Sequence, residues 1–175
     1  MVHETELKVA SQEFFKAFSL NITPQDMVSY FSTTYPVIIQ HAPASCPHAS
    51  VSRLIGPNAL RSYFDLLATY WIRSDVKIRI SPQVVDKRTR SVLLGASVTW
   101  MWRKSGRKWT EDFTWMIEFD EGLKIISLIT RTVSEARTCV MRATDTDRGI
   151  SSHENIVSYE IRLLYYIYLI VLGVI

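Results

Sequence analysis

The sequence predicts an α+β fold in which a cone-like, curved antiparallel sheet wraps around N-terminal helices, with a C-terminal tail appended. Three observations predict it. The first seventy residues hold three stretches of helical periodicity, residues 91–133 alternate like strands almost without a break, and only one face of those strands is apolar. Helices must therefore cover one face of the sheet. A sheet curled over helices leaves an open mouth, a natural place for a small molecule.

Residues 6–18 set Leu7, Ala10, Phe14 and Phe18 at helical spacing, with Lys8, Gln12, Glu13 and Lys16 on the other faces. Thr23-Pro24-Gln25-Asp26 starts a short second helix running to Phe31. Thr23 caps it, Pro24 takes the first helical position where no N–H is missed, and Asp26 meets the positive helix end. Residues 35–41 read as a strand ended by Ala42-Pro43, and residues 42–53, rich in Pro, Ser and Ala, as a loop. Gly56-Pro57-Asn58 opens a third helix with Leu60, Tyr63, Phe64, Leu67 and Trp71 on one face. Residues 76–80 and 84–85 are short strands.

The long strands carry a register. With Ser105-Gly106 at the centre of a tight turn, Trp102 falls opposite Trp109, Trp100 opposite Glu111, Val98 opposite Phe113 and Ala96 opposite Trp115. The shared face is large and apolar, whereas Thr110, Asp112, Thr114, Met116 and Glu118 make the other face wetter; a one-residue slip would exchange them. Asp120-Glu121-Gly122 then turns the chain into a third strand. A three-residue loop puts Glu111 opposite Arg131, and a two-residue loop puts Asp112 there.

At 175 residues the chain fits one domain, expected over residues 1–136, followed by a polar linker at 137–158 and a hydrophobic tail at 159–175. The net charge of +3, scattered with no long Lys/Arg block, argues against nucleic acid as a partner. No basic and apolar leader opens the sequence, and Cys46 and Cys139 form no CxxC pair, so a cytoplasmic protein with free thiols is expected. Asn21-Ile22-Thr23 matches a glycosylation sequon that has no meaning without secretion. The 13 apolar residues at 163–175 fall short of the roughly 20 that span a bilayer as a helix. Three readings of this tail stay open: a membrane contact, an extra packing element, or an end without a role.

Phe14-Phe15-Lys16-Ala17-Phe18, residues 37–41, residues 56–64 and Phe119-Asp120-Glu121-Gly122-Leu123-Lys124-Ile125, in this order and spacing, resemble the nuclear transport factor 2-like superfamily. Within it the likeness is to SnoaL-like and ketosteroid-isomerase-like proteins, and it covers about residues 6–135. The resemblance implies a cone-shaped pocket, frequent pairing of two chains through the outer sheet face, and activities that range from isomerase and cyclase to non-catalytic adaptor.

Candidate chemistry follows from both sources. In ketosteroid-isomerase-like members the end of the first strand carries a base that points into the cone; here that position is His41, or Ala42 if the alignment shifts by one. A histidine is a capable proton carrier near neutral pH. Glu111 shares its face with aromatics, so its charge needs a partner, for which Arg131 is the candidate; Asp112 inherits the role if the register moves by one. Tyr35, Tyr63, Trp100, Phe113 and Trp115 are candidates to line a pocket for a flat, apolar or polycyclic ligand, and five tryptophans in one small domain suit that use. His41, Cys46 and His48 lie close in sequence but lack a rigid fourth ligand, so no metal is expected. The expected activity is cofactor-free proton transfer by His41 with Glu111 or Asp112; the alternative is a ligand-binding or dimeric adaptor domain with Thr110, Thr114 and Met116 on its outer face.

Overall fold

A computed structural model describes residues 3–46, 52–79, 84–143 and 145. The expected tail, the linker beyond residue 145, and His48 lie outside them. Three helices, α1 (Glu4–Ser19), α2 (Pro24–Val28) and α3 (Pro57–Tyr70), accompany seven strands: β1 (Ile38–Pro43), β2 (Arg53–Ile55), β3 (Trp71–Ile78), β4 (Val84–Asp86), β5 (Ser91–Trp102), β6 (Lys108–Phe119) and β7 (Ile125–Thr132). The strands make one sheet in the order β2-β1-β7-β6-β5-β3, with β4 also on β5. All pairings are antiparallel except β1 with β7, which run parallel. The sheet is therefore mixed, curved and unclosed.

Local chemistry sets the helix starts. Thr23 accepts a hydrogen bond from the Asp26 amide at 3.1 Å, with Pro24 at the first helical position. Gly56, at φ 94°, turns the chain into Pro57 at the head of α3, a conformation that favours a residue without Cβ. Leu7, Phe14 and Phe18 of α1, and Leu60, Tyr63, Phe64 and Leu67 of α3, are all buried. They meet the inward face of β5 and β6: the Phe14 and Phe18 rings lie 5.2 and 4.9 Å from the Trp115 ring.

Two expectations of register are corrected. Trp100 pairs with Trp109, Val98 with Glu111, Ala96 with Phe113 and Leu94 with Trp115. The Trp102 amide donates to the Arg107 carbonyl at 2.9 Å, and of the four residues between them Gly106 is the last, at φ 72°, instead of lying at the centre of the turn. Each partner moves by two positions, so the apolar face is preserved while the opposing residues change. The β6–β7 loop holds five residues, because the Asp120 carboxylate accepts the Gly122 and Lys124 amides at 2.9 and 2.8 Å and organises a wider turn. With a further irregularity at Glu118/Phe119, Arg131 pairs with Thr114. Against the three-residue loop this is an odd shift, which turns Arg131 to the outer face and brings Thr130 and Thr132 inward; against the two-residue loop it is a shift of two, which keeps Arg131 on the outer face.

A third correction concerns residues 137–143. Instead of beginning a linker, they continue the folded unit, which runs to Asp145. Two 3-10 turns, Ala136–Thr138 and Val140–Arg142, bury Cys139 and Val140 completely. The Trp109 indole N–H donates to the Thr138 carbonyl at 2.8 Å, which ties this segment to β6.

Candidate active site

Glu111 sits at the centre of the buried polar groups. It is 0% exposed, on the inward face of β6 among Trp100, Trp109 and Phe113. A carboxylate there needs donors, and four residues supply them. Trp100 Nε1 donates to Oε2 at 2.7 Å, the Val140 amide to Oε2 at 3.3 Å, Thr132 Oγ1 to Oε1 at 2.5 Å, and His41 Nε2 lies 2.9 Å from Oε1. Charge-assisted bonds of this kind stabilise a buried anion.

His41 comes from β1 within the strand, 4% exposed, brought beside β7 by the parallel pairing. Its second nitrogen, Nδ1, lies 2.9 Å from the Tyr63 hydroxyl on α3. Burial alone would push the imidazole down. The Tyr63 oxygen and the Glu111 carboxylate, with Cys139, outweigh it and hold His41 well above its ordinary value of 6.5. These neighbours favour the charged form of His41, and each of its ring nitrogens has an oxygen within hydrogen-bond distance.

The other expected residues divide cleanly. Tyr63, Trp100, Phe113 and Trp115 are all buried on the inward side with His41 and Glu111. Tyr35 is 47% exposed and bonds Glu121, so it stands away from this cluster. Arg131 is no partner of Glu111. Asp112 also points outward, beside Arg79 at 3.5 Å; burial raises its pKa, Arg79 opposes this and Glu111 adds to it.

Several residues went unread in the sequence. Thr132 and Cys139 reach the site only through the corrected register and the 3-10 turns. Arg73 lies inward on β3, two residues from Trp71, and the alternation of those two residues was a signal that extending the strand back to residue 71 would have used. The ligand atoms of His41, Glu111 and Cys139 all lie within 4.8 Å of one another, a nitrogen, oxygen and sulfur set of the kind zinc takes. A metal would have to displace the His41–Glu111 hydrogen bond, since both Glu111 oxygens and both His41 nitrogens are already engaged. Away from this cluster, a cavity of about 410 Å³ lies between α1 and the β6–β7 turn, lined by Val9, Tyr30 and Leu123 among others.

Comparison with solved structures places the architecture. The BvnE pinacolase from Penicillium brevicompactum superposes with a TM-score of 0.60 at 19% identity, over 74% of this chain and 87% of that one. AusH from Aspergillus nidulans gives 0.63 at 13% identity, over 79% and 91%. SalBIII, an epoxide hydrolase/cyclase-like enzyme with a role in pyran ring formation in the polyether salinomycin, gives 0.60 at 16% identity, over 78% and 97%. The chain has the nuclear transport factor 2-like fold. At these identities the likeness is one of fold. No family model matches the chain, and no curated protein matches it in sequence. Among its described residues no helix is long and apolar enough to cross a membrane.

Proposed function

We propose that the protein is a cofactor-free enzyme of the isomerase or cyclase kind, moving a proton on an apolar, flat small molecule. One observation carries the reading: His41 bridges Glu111 and Tyr63 at 2.9 Å each, with all three side chains buried on the side of the sheet that carries the aromatic rings. Buried polar chains that aim a titratable group at one spot are costly to keep and cluster at functional sites. Neighbours of the same fold that act as a pinacolase and as an epoxide hydrolase/cyclase-like enzyme support the class.

The roles follow from the proton count. Glu111, fixed by Trp100, Thr132 and Val140, holds His41 charged and in one orientation. With His41 charged, its Nδ1–H donates to the Tyr63 oxygen 2.9 Å away, which leaves the Tyr63 O–H without an acceptor among the described residues. Tyr63 is then the group that hands a proton to a substrate oxygen, His41 replaces that proton, and the proton lost from the acidic carbon leaves to solvent water, from which the pair is recharged. A second reading, a binding domain without turnover, draws on the near-complete closure of all three side chains from solvent.

Deuterium uptake separates the two. In D2O, the protein should accelerate exchange at the acidic carbon of a flat enolisable ketone such as 2-tetralone, and His41→Gln or Tyr63→Phe should cut this by about 100-fold or more. Uptake no faster than in protein-free buffer would leave the binding reading.

A further inference from the structure

Arg73 is a cation with no carboxylate opposite it among the described residues. It is 9% exposed on the inward face of β3, where its cross-strand partner is Trp100. Among the described residues its side chain makes one hydrogen bond, from Nε to Asn21 Oδ1 at 2.9 Å, and its guanidinium carbon lies 4.3 Å from the Phe18 ring centre. Asn21 returns its amide to the Arg73 carbonyl at 2.7 Å, and it does so from a left-handed φ of 53°. Asparagine tolerates that conformation better than most residues. Both ends of the Asn21 side chain are thus used to fix the direction of one guanidinium, and the terminal nitrogens of the fork are left over.

A buried charge is costly unless it is paired. Burial lowers the Arg73 pKa to about 10, with the Tyr63 oxygen opposing the drop, and no carboxylate contributes; the group is still a cation at neutral pH. A second observation lies on the same face. Among the described residues the Trp71 indole N–H, in a residue only 6% exposed, has no acceptor, and neither has that of Trp102, whose ring centre is 4.9 Å away. Buried donors are nearly always answered. Here three donor groups at one end of the sheet lack an acceptor, and aromatic rings surround them.

We propose that Arg73 and Trp71 form an anion subsite that takes the carboxylate of an otherwise flat and apolar substrate. The arginine fork matches a carboxylate with two parallel bonds, the Phe18 ring holds the fork in plane, and Asn21 prevents it from swinging away. The subsite rests on the reading of His41, Glu111 and Tyr63 as the reacting end. Trp100 links the two, since its backbone pairs with Arg73 and its indole N–H goes to Glu111 at 2.7 Å. The substrate so defined is an aromatic or polycyclic acid, anchored at β3 with its reacting oxygen toward Tyr63.

The competing explanation is that Arg73 only closes the end of α1. Calorimetric titration with two probes of one shape decides between them: 2-naphthoate, and its neutral counterpart 2-naphthalenemethanol. The folded wild-type protein should bind the acid about tenfold or more tightly than the alcohol, as a charge-assisted bidentate contact requires. Arg73→Met should bring the two within about twofold while leaving the alcohol unchanged, and Arg73→Lys should keep part of the preference. Equal affinity of the wild type for both probes, or a preference that survives Arg73→Met, overturns the subsite. It would leave the proton-transfer reading standing on its deuterium test. Binding of neither probe overturns the subsite together with the small-molecule pocket. Should Arg73→Met fail to fold, the wild-type comparison and Arg73→Lys still decide the matter.

Discussion

His41 Nε2 lies 2.9 Å from Glu111 Oε1, and the two side chains are 4% and 0% exposed. They are 70 residues apart in sequence and come from strands that do not touch; β7 stands between them in the sheet and contributes Thr132 to the same carboxylate. The pair is therefore a tertiary object, and its energetics are those of charges removed from water. Removing one partner of such a pair is far more damaging than the pair is stabilising, because the other charge is left alone.

Glu111→Ala should cost about 3–5 kcal/mol in urea denaturation, since it leaves His41 and three buried donors without their shared partner. Glu111→Gln preserves shape but substitutes a donor for one acceptor oxygen; a loss of about 1–3 kcal/mol is expected, with the fold retained. Arg131→Ala provides the contrast. Its side chain is on the outer face opposite Thr114, so the loss should stay under about 1 kcal/mol. A large loss for Arg131→Ala would restore the pairing that the register excludes.

The sign of the pH dependence is fixed by His41. Its pKa is raised in the folded state, so the native protein binds more protons than the unfolded chain above pH 6.5. Its contribution to stability is full below that value and is lost as pH climbs through the folded pKa. The urea midpoint should accordingly fall between about pH 6.5 and the alkaline range, and His41→Gln should flatten that slope. A wild-type midpoint that rises over the same interval would mean that the imidazole is neutral in the folded protein.

Two truncations test where the folded unit ends. A chain ending at Asp145 should keep its cooperative thermal transition. A chain ending at Glu135 loses the acceptor of the Trp109 indole, the Val140 amide on Glu111, and the buried Cys139 and Val140 side chains. It should lose about 3 kcal/mol or more, as expected when buried polar partners and core side chains go together. Equal melting of the two chains would return residues 137–145 to the status of a linker.

Much of this was legible locally. Alternation in residues 91–133 determined three consecutive strands and which side chains face inward, including Glu111 and the tryptophans. Thr23-Pro24 and Gly56-Pro57 determined where two helices begin, because capping and backbone conformation are matters of adjacent residues. Period two is insensitive to a shift of two positions, which is why the face of Trp100 was readable but its partner was not. Partner identity depended on loop geometry: on Gly106 closing a four-residue turn, and on Asp120 gathering two amides into a five-residue one. An odd error in that second loop was enough to place Arg131 on the wrong face. The parallel docking of β1 on β7, the return of residues 136–142 over Glu111, and the pinning of Arg73 by Asn21 join segments 29 to 89 residues apart. The Arg73–Asn21 contact alone spans 52 residues. No local pattern encodes such contacts, since they are selected by the burial of the whole core and by the need of each buried charge or donor to find an answer.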